Sequence, residues 1–188
     1  MRIAVVAGVL AVMVLPAMAQ DGCFSGEPTK VTYSDGRVVT IIQRHGDDLT
    51  FTTPYEGYQD SVTKTHLMLV PKQGRQGARS TEFQWSSKLP KLSQLVPGYK
   101  FDLEGTMKSG GGEAVPYRIE GEVRGPEDVM VGDCSYAALA VVMSTFLDNQ
   151  LIVTATQYLS PDMKVILKSA AVPVSGGQKV DFVAVALE

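Results

Sequence analysis

The chain has 188 residues, with 17 Lys and Arg against 20 Asp and Glu, two histidines and a formal net charge of −3. This mild acidity, scattered along the chain, argues against nucleic acid as a partner and against electrostatic attachment to anionic membranes. Hydrophobic residues make up 45% of the sequence, enough for one domain that needs neither metal nor dense disulfides to hold a core.

Residues 1–19, MRIAVVAGVLAVMVLPAMA, read as a secretory signal. Arg2 is a minimal positive n-region, Ile3 to Leu15 form the apolar run, Pro16 breaks it, and Ala17 and Ala19 supply small residues at −3 and −1. The run falls short of the ~20 apolar residues of a spanning helix. Cleavage after Ala19 is expected to leave a single β domain over 20–188 with no transmembrane segment, periplasmic or secreted. A lipid anchor on Cys23 is the alternative, but Gln20 stands where a lipobox wants a branched apolar residue.

The remainder reads as strands between turns. Asp35-Gly36 joins Lys30–Tyr33 to Arg37–Arg44 as a hairpin. His45-Gly46-Asp47-Asp48 turns into Leu49–Thr53, rich in β-branched residues. Pro54 then opens a polar loop in which Tyr55 and Tyr58 could form a stacking platform for a ligand, or fold back over the sheet. His66 is expected to begin a strand. Phe83 and Trp85 alternate within Thr81–Trp85, and either line a barrel mouth or pack in the core. Ser86–Gly98 is a connector with one helical turn at Lys91–Leu95.

Tyr99, Phe101 and Leu103 alternate with Lys100, Asp102 and Glu104, and Val115–Val123 alternates likewise, as strands with one wet face do. The glycines of Ser109–Glu113 join these two strands, and Arg124-Gly125-Pro126-Glu127-Asp128 predicts another turn. Ala137–Leu147 is open to helix or strand; its Val and Thr content favours strand. Asp148-Asn149-Gln150 then turns into Leu151–Tyr158, with Val141, Met143, Leu151 and Val153 on a common core face. Ser175–Gln178 precedes a last strand through Val183, Val185 and Leu187. About ten to twelve strands at this spacing predict an all-β fold: an antiparallel sheet closed or half-closed into a barrel, or else a β-sandwich, with one short helical turn at most.

Pro97-Gly98, Val123-Arg124-Gly125, Val129 to Tyr136 and Tyr158-Leu159-Ser160-Pro161-Asp162-Met163 occur in an order that resembles bacterial periplasmic β-rich proteins of the DUF3108-like or lipoprotein-carrier-like half-barrel type. The resemblance covers about residues 95–170. The cysteine pair and Met163 depart from that pattern. The resemblance implies a fold and a compartment, and carries no catalytic residue over.

The stretch Val131-Gly132-Asp133-Cys134-Ser135-Tyr136-Ala137 raises the question of a nucleophile. A nucleophile elbow needs glycines flanking the serine, and here Asp133 and Ala137 hold those places. An even cysteine count behind a signal reads first as a disulfide, Cys23 to Cys134, with free or intermolecular thiols as the alternative. His45 and His66 show no metal-ligand spacing, the methionines are dispersed, and Gly110-Gly111-Gly112 lacks the Lys of a phosphate loop. Asp47-Asp48 and Glu127-Asp128 sit in turns. No cofactor or metal is expected. The expected role is non-enzymatic: binding a lipid or other apolar or amphipathic molecule, with Tyr55, Tyr58, Phe83 and Trp85 as candidate contacts, or scaffolding with an envelope protein. A hydrolase assembled only in three dimensions and a module acting through a sheet edge are the alternatives.

Overall fold

The computed structural model describes residues 22–54, 60–75 and 80–188, of which 71–75 by backbone only. Twelve strands run in chain order: β1 (Lys30–Tyr33), β2 (Val38–His45), β3 (Asp48–Thr53), β4 (Ser61–His66), β5 (Leu69–Arg75), β6 (Thr81–Trp85), β7 (Lys100–Ser109), β8 (Val115–Val131), β9 (Cys134–Leu147), β10 (Gln150–Leu159), β11 (Ile166–Pro173) and β12 (Val180–Leu187). Each pairs antiparallel with the next, and β1 pairs with β12 through Val31 opposite Leu187, so the sheet closes into a barrel. A short 3-10 turn, Leu92–Gln94, lies in the connector between β6 and β7. All-β closure is thus observed, and the sandwich is not.

The turns follow from residue chemistry. Asp148 and Asn149 have φ of 49° and 60°, both left-handed, as a two-residue hairpin turn whose twist matches its strands requires. They close β9 onto β10 and settle Ala137–Leu147 as strand. Asp35-Gly36 does the same for β1 and β2, with Gly36 at φ 84°.

Three expectations need correction. Residues 124–128 do not turn: β8 continues through them, and the irregularity is a bulge between Val123 and Gly125 that leaves Arg124 extra. Pro126 is tolerated because β7 pairs with β8 only as far as Glu122, so Pro126 lies on a one-sided stretch. His66 ends β4 rather than beginning a strand. Leu151 leaves the common face, because a bulge at Ile152 places Leu151 opposite Phe146 and Val153 opposite Thr145; Leu151 is exposed while Val141 and Met143 are buried.

The outer wall of β7 and β8 carries Lys100, Asp102, Glu104 and Lys108 with Arg118, Glu120 and Glu122. Arg118 pairs with Glu120 at 2.8 Å and with Asp102 at 3.4 Å. So many charges on an outward face would be costly in hydrocarbon, so this wall faces water.

The interior is filled unevenly by two clusters. In one, Phe101, Leu103, Ile119, Val123, Val141 and Leu159 pack together. The ring of Phe101 lies over Gly121, its cross-strand partner. In the other, the bulged far half of β8 (Val129, Val131) folds across to meet Leu167 of β11 and Ala184 of β12. Tyr33 spans the same region, its hydroxyl donating to the Ile166 carbonyl at 2.8 Å. Cys134, at the start of β9, is bonded to Cys23 with Cα atoms 5.7 Å apart. That bond closes a loop of 111 residues, a length for which chain entropy alone contributes about 4–5 kcal/mol.

Two consequences are measurable. A Cβ on Gly105 would lie 2.3 Å from the Gln84 carbonyl oxygen, a backbone atom that cannot step aside. Gly105→Ala should lower stability by about 2–3 kcal/mol in denaturant unfolding, whereas Lys108→Ala, exposed on the same strand, should stay within about 0.5. Burial raises the Tyr33 phenol to about 12 against the pull of Arg37. Its neutral form is the one the fold holds, so its contribution is complete below pH 10 and lost as pH climbs through about 12. Titration of tyrosine absorbance should show a late-ionising group that coincides with alkaline unfolding and vanishes in Tyr33→Phe.

Candidate functional site

One end of the barrel is sealed by backbone and side-chain hydrogen bonds. Arg44 of β2 donates Nη1 to the Met163 carbonyl at 2.9 Å and Nη2 to the Pro28 carbonyl. This ties the 160–165 turn and the segment before β1 to the same strand end. Lys164 donates to the Gly46 carbonyl at 2.6 Å. The 86–98 connector is held by Asp47, whose Oδ2 accepts from the Leu92 N–H at 3.0 Å, and by His66, whose Nε2 donates to the Pro90 carbonyl at 2.9 Å. His66 Nδ1 lies 2.6 Å from Asp48 Oδ1. Burial pushes the Asp48 carboxyl upward, but hydrogen bonds and charge from His66 and Lys64 outweigh it, so the group sits below the ordinary carboxylate range.

Above this floor the two clusters leave a cavity of about 430 Å³. Its apolar walls include Val39, Leu49, Phe51, Met68, Ile166 and Phe182. Its polar wall is β4, which turns Ser61, Thr63 and Thr65 inward and Val62 outward. Thr63 and Thr65 are 5% and 8% exposed, Val62 41%. This reverses the usual polarity of a half-wet strand. Gln157 of β10 completes the polar set. At the far end from the seal, exposed Arg37 and Pro54 line the cavity and open it to solvent. Arg37 already donates to Asp35 at 2.6 Å and lies 4.1 Å over the Phe182 ring. A space of this size, mostly apolar with a few placed polar groups, has the form of a small-molecule pocket.

Tyr55 and Tyr58 lie outside the described residues. Phe83 and Trp85 point into the barrel but form no part of this cavity's wall. They stack at 6.5 Å and meet Tyr117 at 4.8 and 5.5 Å, with Trp85 and Tyr117 packed against the Phe101 cluster. Gly105 lies between Trp85 and Tyr117 in register, which lets the two rings meet across it. The cavity residues were missed in the sequence because a run of Ser, Thr and Lys around Val62 gives no sign that its hydroxyl face is the inner one. The one available signal was the strict alternation of Ser61, Thr63 and Thr65.

No protein family model matches the chain, and no curated protein matches it in sequence. Among solved structures it is similar to the hypothetical lipoprotein YmcC of Escherichia coli K12, with a TM-score of 0.55 at 10% identity over 87% of this chain and 90% of that one. At that identity the likeness is one of fold: a barrel-like all-β protein of the same extent.

Proposed function

We propose that this is a secreted or periplasmic protein of the cell envelope, with no catalytic role, that holds an apolar or amphipathic small molecule inside its barrel. Residues 1–19 act as the cleaved signal, 20–188 as the single binding domain, and the ligand is a lipid or a molecule of similar polarity. Kinship with the lipoprotein-carrier-like half-barrel proteins belongs to the same proposal. The observation that carries it is the cavity of about 430 Å³, apolar on most sides, sealed at one end and bordered by exposed residues at the other. The bond between Cys23 and Cys134 supports an oxidising compartment, and the structural neighbour is titled a lipoprotein.

The rival readings find less support. Both ring nitrogens of His66 are engaged, by Asp48 and the Pro90 carbonyl, which leaves His66 poorly placed to serve Ser135 as a base. Among the described residues closure of the ring gives each strand two neighbours over at least part of its length, so no strand there offers a wholly free edge for strand addition.

Filling the cavity tests the proposal. Thr63→Trp projects an indole into it, while Val62→Trp places the same ring on the outer face. Native mass spectrometry of protein purified from its own envelope should show a bound small molecule in the wild type and in Val62→Trp, and none in Thr63→Trp. Equal retention in both variants, or no bound species in the wild type, would contradict the proposal.

A further inference from the structure

Among the described residues the cavity is lined by two cations, and they stand at opposite ends. Lys164 is at the seal, where it donates to the Gly46 carbonyl at 2.6 Å and lies 3.9 Å from Asp47. Arg37 is at the mouth, its side chain 45% exposed. The β1–β2 hairpin turn fixes it there: Asp35 Oδ1 accepts the Arg37 backbone N–H at 3.1 Å, and Oδ2 accepts the Nε–H at 2.6 Å. The guanidinium lies over the Phe182 ring, 4.1 Å from its centre, and 5.5 Å from the centre of Tyr33. The N–H groups of a guanidinium all lie in its plane, whereas a ring stacked on it takes a face. Stacking therefore uses no donor, and Asp35 uses one side-chain donor, the Nε–H. The N–H groups of Nη1 and Nη2 have no hydrogen-bond partner among the described residues.

We propose, on the footing of the ligand-binding reading above, that Arg37 is a head-group site and that the ligand is a single-chain amphiphile with a carboxylate head, whose two oxygens accept from Nη1 and Nη2. With the far end sealed, such a molecule enters tail first. A charged head drawn down among apolar walls would lose its water without compensation, so the head stays at the mouth. There the paired N–H groups of Nη1 and Nη2 form a fork that matches a carboxylate. Asp35 already stands on the same guanidinium, so a second negative charge on the head would meet repulsion, which favours a singly charged head. The tail occupies the space among Leu49, Phe51, Ile166 and Phe182. A cavity of about 430 Å³ is at the small end of the range for ligand pockets, which suits one chain rather than several.

Two probes of one chain length test the site: laurate, with a carboxylate head, and 1-dodecanol, with a neutral one. Each is titrated at neutral pH and low ionic strength against bound N-phenyl-1-naphthylamine, with loss of its fluorescence as readout. The quantity compared between proteins is the ratio of laurate to dodecanol affinity, in which the difference in tail and head hydration cancels. Arg37→Gln should lower that ratio about fivefold, the worth of an ion pair half open to water. Asp35→Asn should raise it about twofold, because it removes a competing charge while Asn-Gly remains a favoured hairpin turn and the amide oxygen still accepts from Nε. Lys179→Gln removes another cation at the same end of the barrel, paired with Asp181 at 2.6 Å, and should leave the ratio unchanged. Added salt should lower the wild-type ratio, a result that needs no variant to fold. A ratio unmoved by Arg37→Gln or by salt, shifted in the same direction by Arg37→Gln and Asp35→Asn, or lowered as much by Lys179→Gln, would overturn the head-group site and leave the cavity reading standing. Failure of the fluorophore and both probes to bind would overturn both.

Discussion

The fold is governed by the width of its ring. A barrel of about eight strands is just filled by its own side chains, and each added strand widens the space inside. Twelve strands closed edge to edge enclose more than the inward residues of this chain can occupy as a single round core. The molecule meets this constraint by packing the far half of β8 against strands beyond its own neighbours. The bulge at Arg124 bends the long β8–β9 hairpin, and its far end carries Val129 and Val131 across to β11 and β12. The space left between strands β1 to β5 and Gln157, Ile166 and Phe182 of β10 to β12 becomes the cavity. Cavity and core are therefore two outcomes of one geometric excess, which ties the candidate function to the architecture rather than to a motif.

A space of that kind persists only if it is kept from collapsing and from leaking. The sealed end answers the second need with polar contacts: Arg44 to two carbonyls, Lys164 to a third, and Asp47 and His66 to the connector. These join segments far apart in sequence, and the bond from Cys23 to Cys134 fixes the segment before β1 to the tip of β8–β9. The ring contacts of Tyr33 and Phe182, 5.1 Å apart and edge to face, brace the closing strands next to the opening. Arg37 stacks on the same pair, so the side chain at the mouth is held rather than free to swing.

The strand content was legible because it rests on local rules. Alternation in Tyr99–Glu104 and Val115–Val123, and turn chemistry at Asp35-Gly36 and Asp148-Asn149, act within a few residues and survive in the structure. What failed were the bulges. At Arg124 and Ile152 the register shifts by one residue, and the shift depends on how partner strands meet, which no short stretch of sequence encodes. Each shift changes which face a residue takes: Leu151 moved outward, and Gly125-Pro126 stayed in a strand although it has the composition of a turn. The candidate site fared worse for a related reason. Aromatic residues drew attention to Phe83 and Trp85, which belong to the packed side. The cavity is marked by small hydroxyl side chains on β4 and by Gln157 on β10, residues that carry no signal until the ring places them face to face.

The central claim is that the interior between β4 and β10 is an accessible, mostly apolar space in the folded protein. Crystals of the ligand-free protein under xenon pressure test it most directly, because xenon enters apolar cavities without needing a specific partner. The account predicts xenon density in contact with Leu49, Phe51 and Ile166. A well-ordered structure in which the side chains of β2, β3 and β11 have closed on that volume, with no xenon and no other occupant, would contradict it.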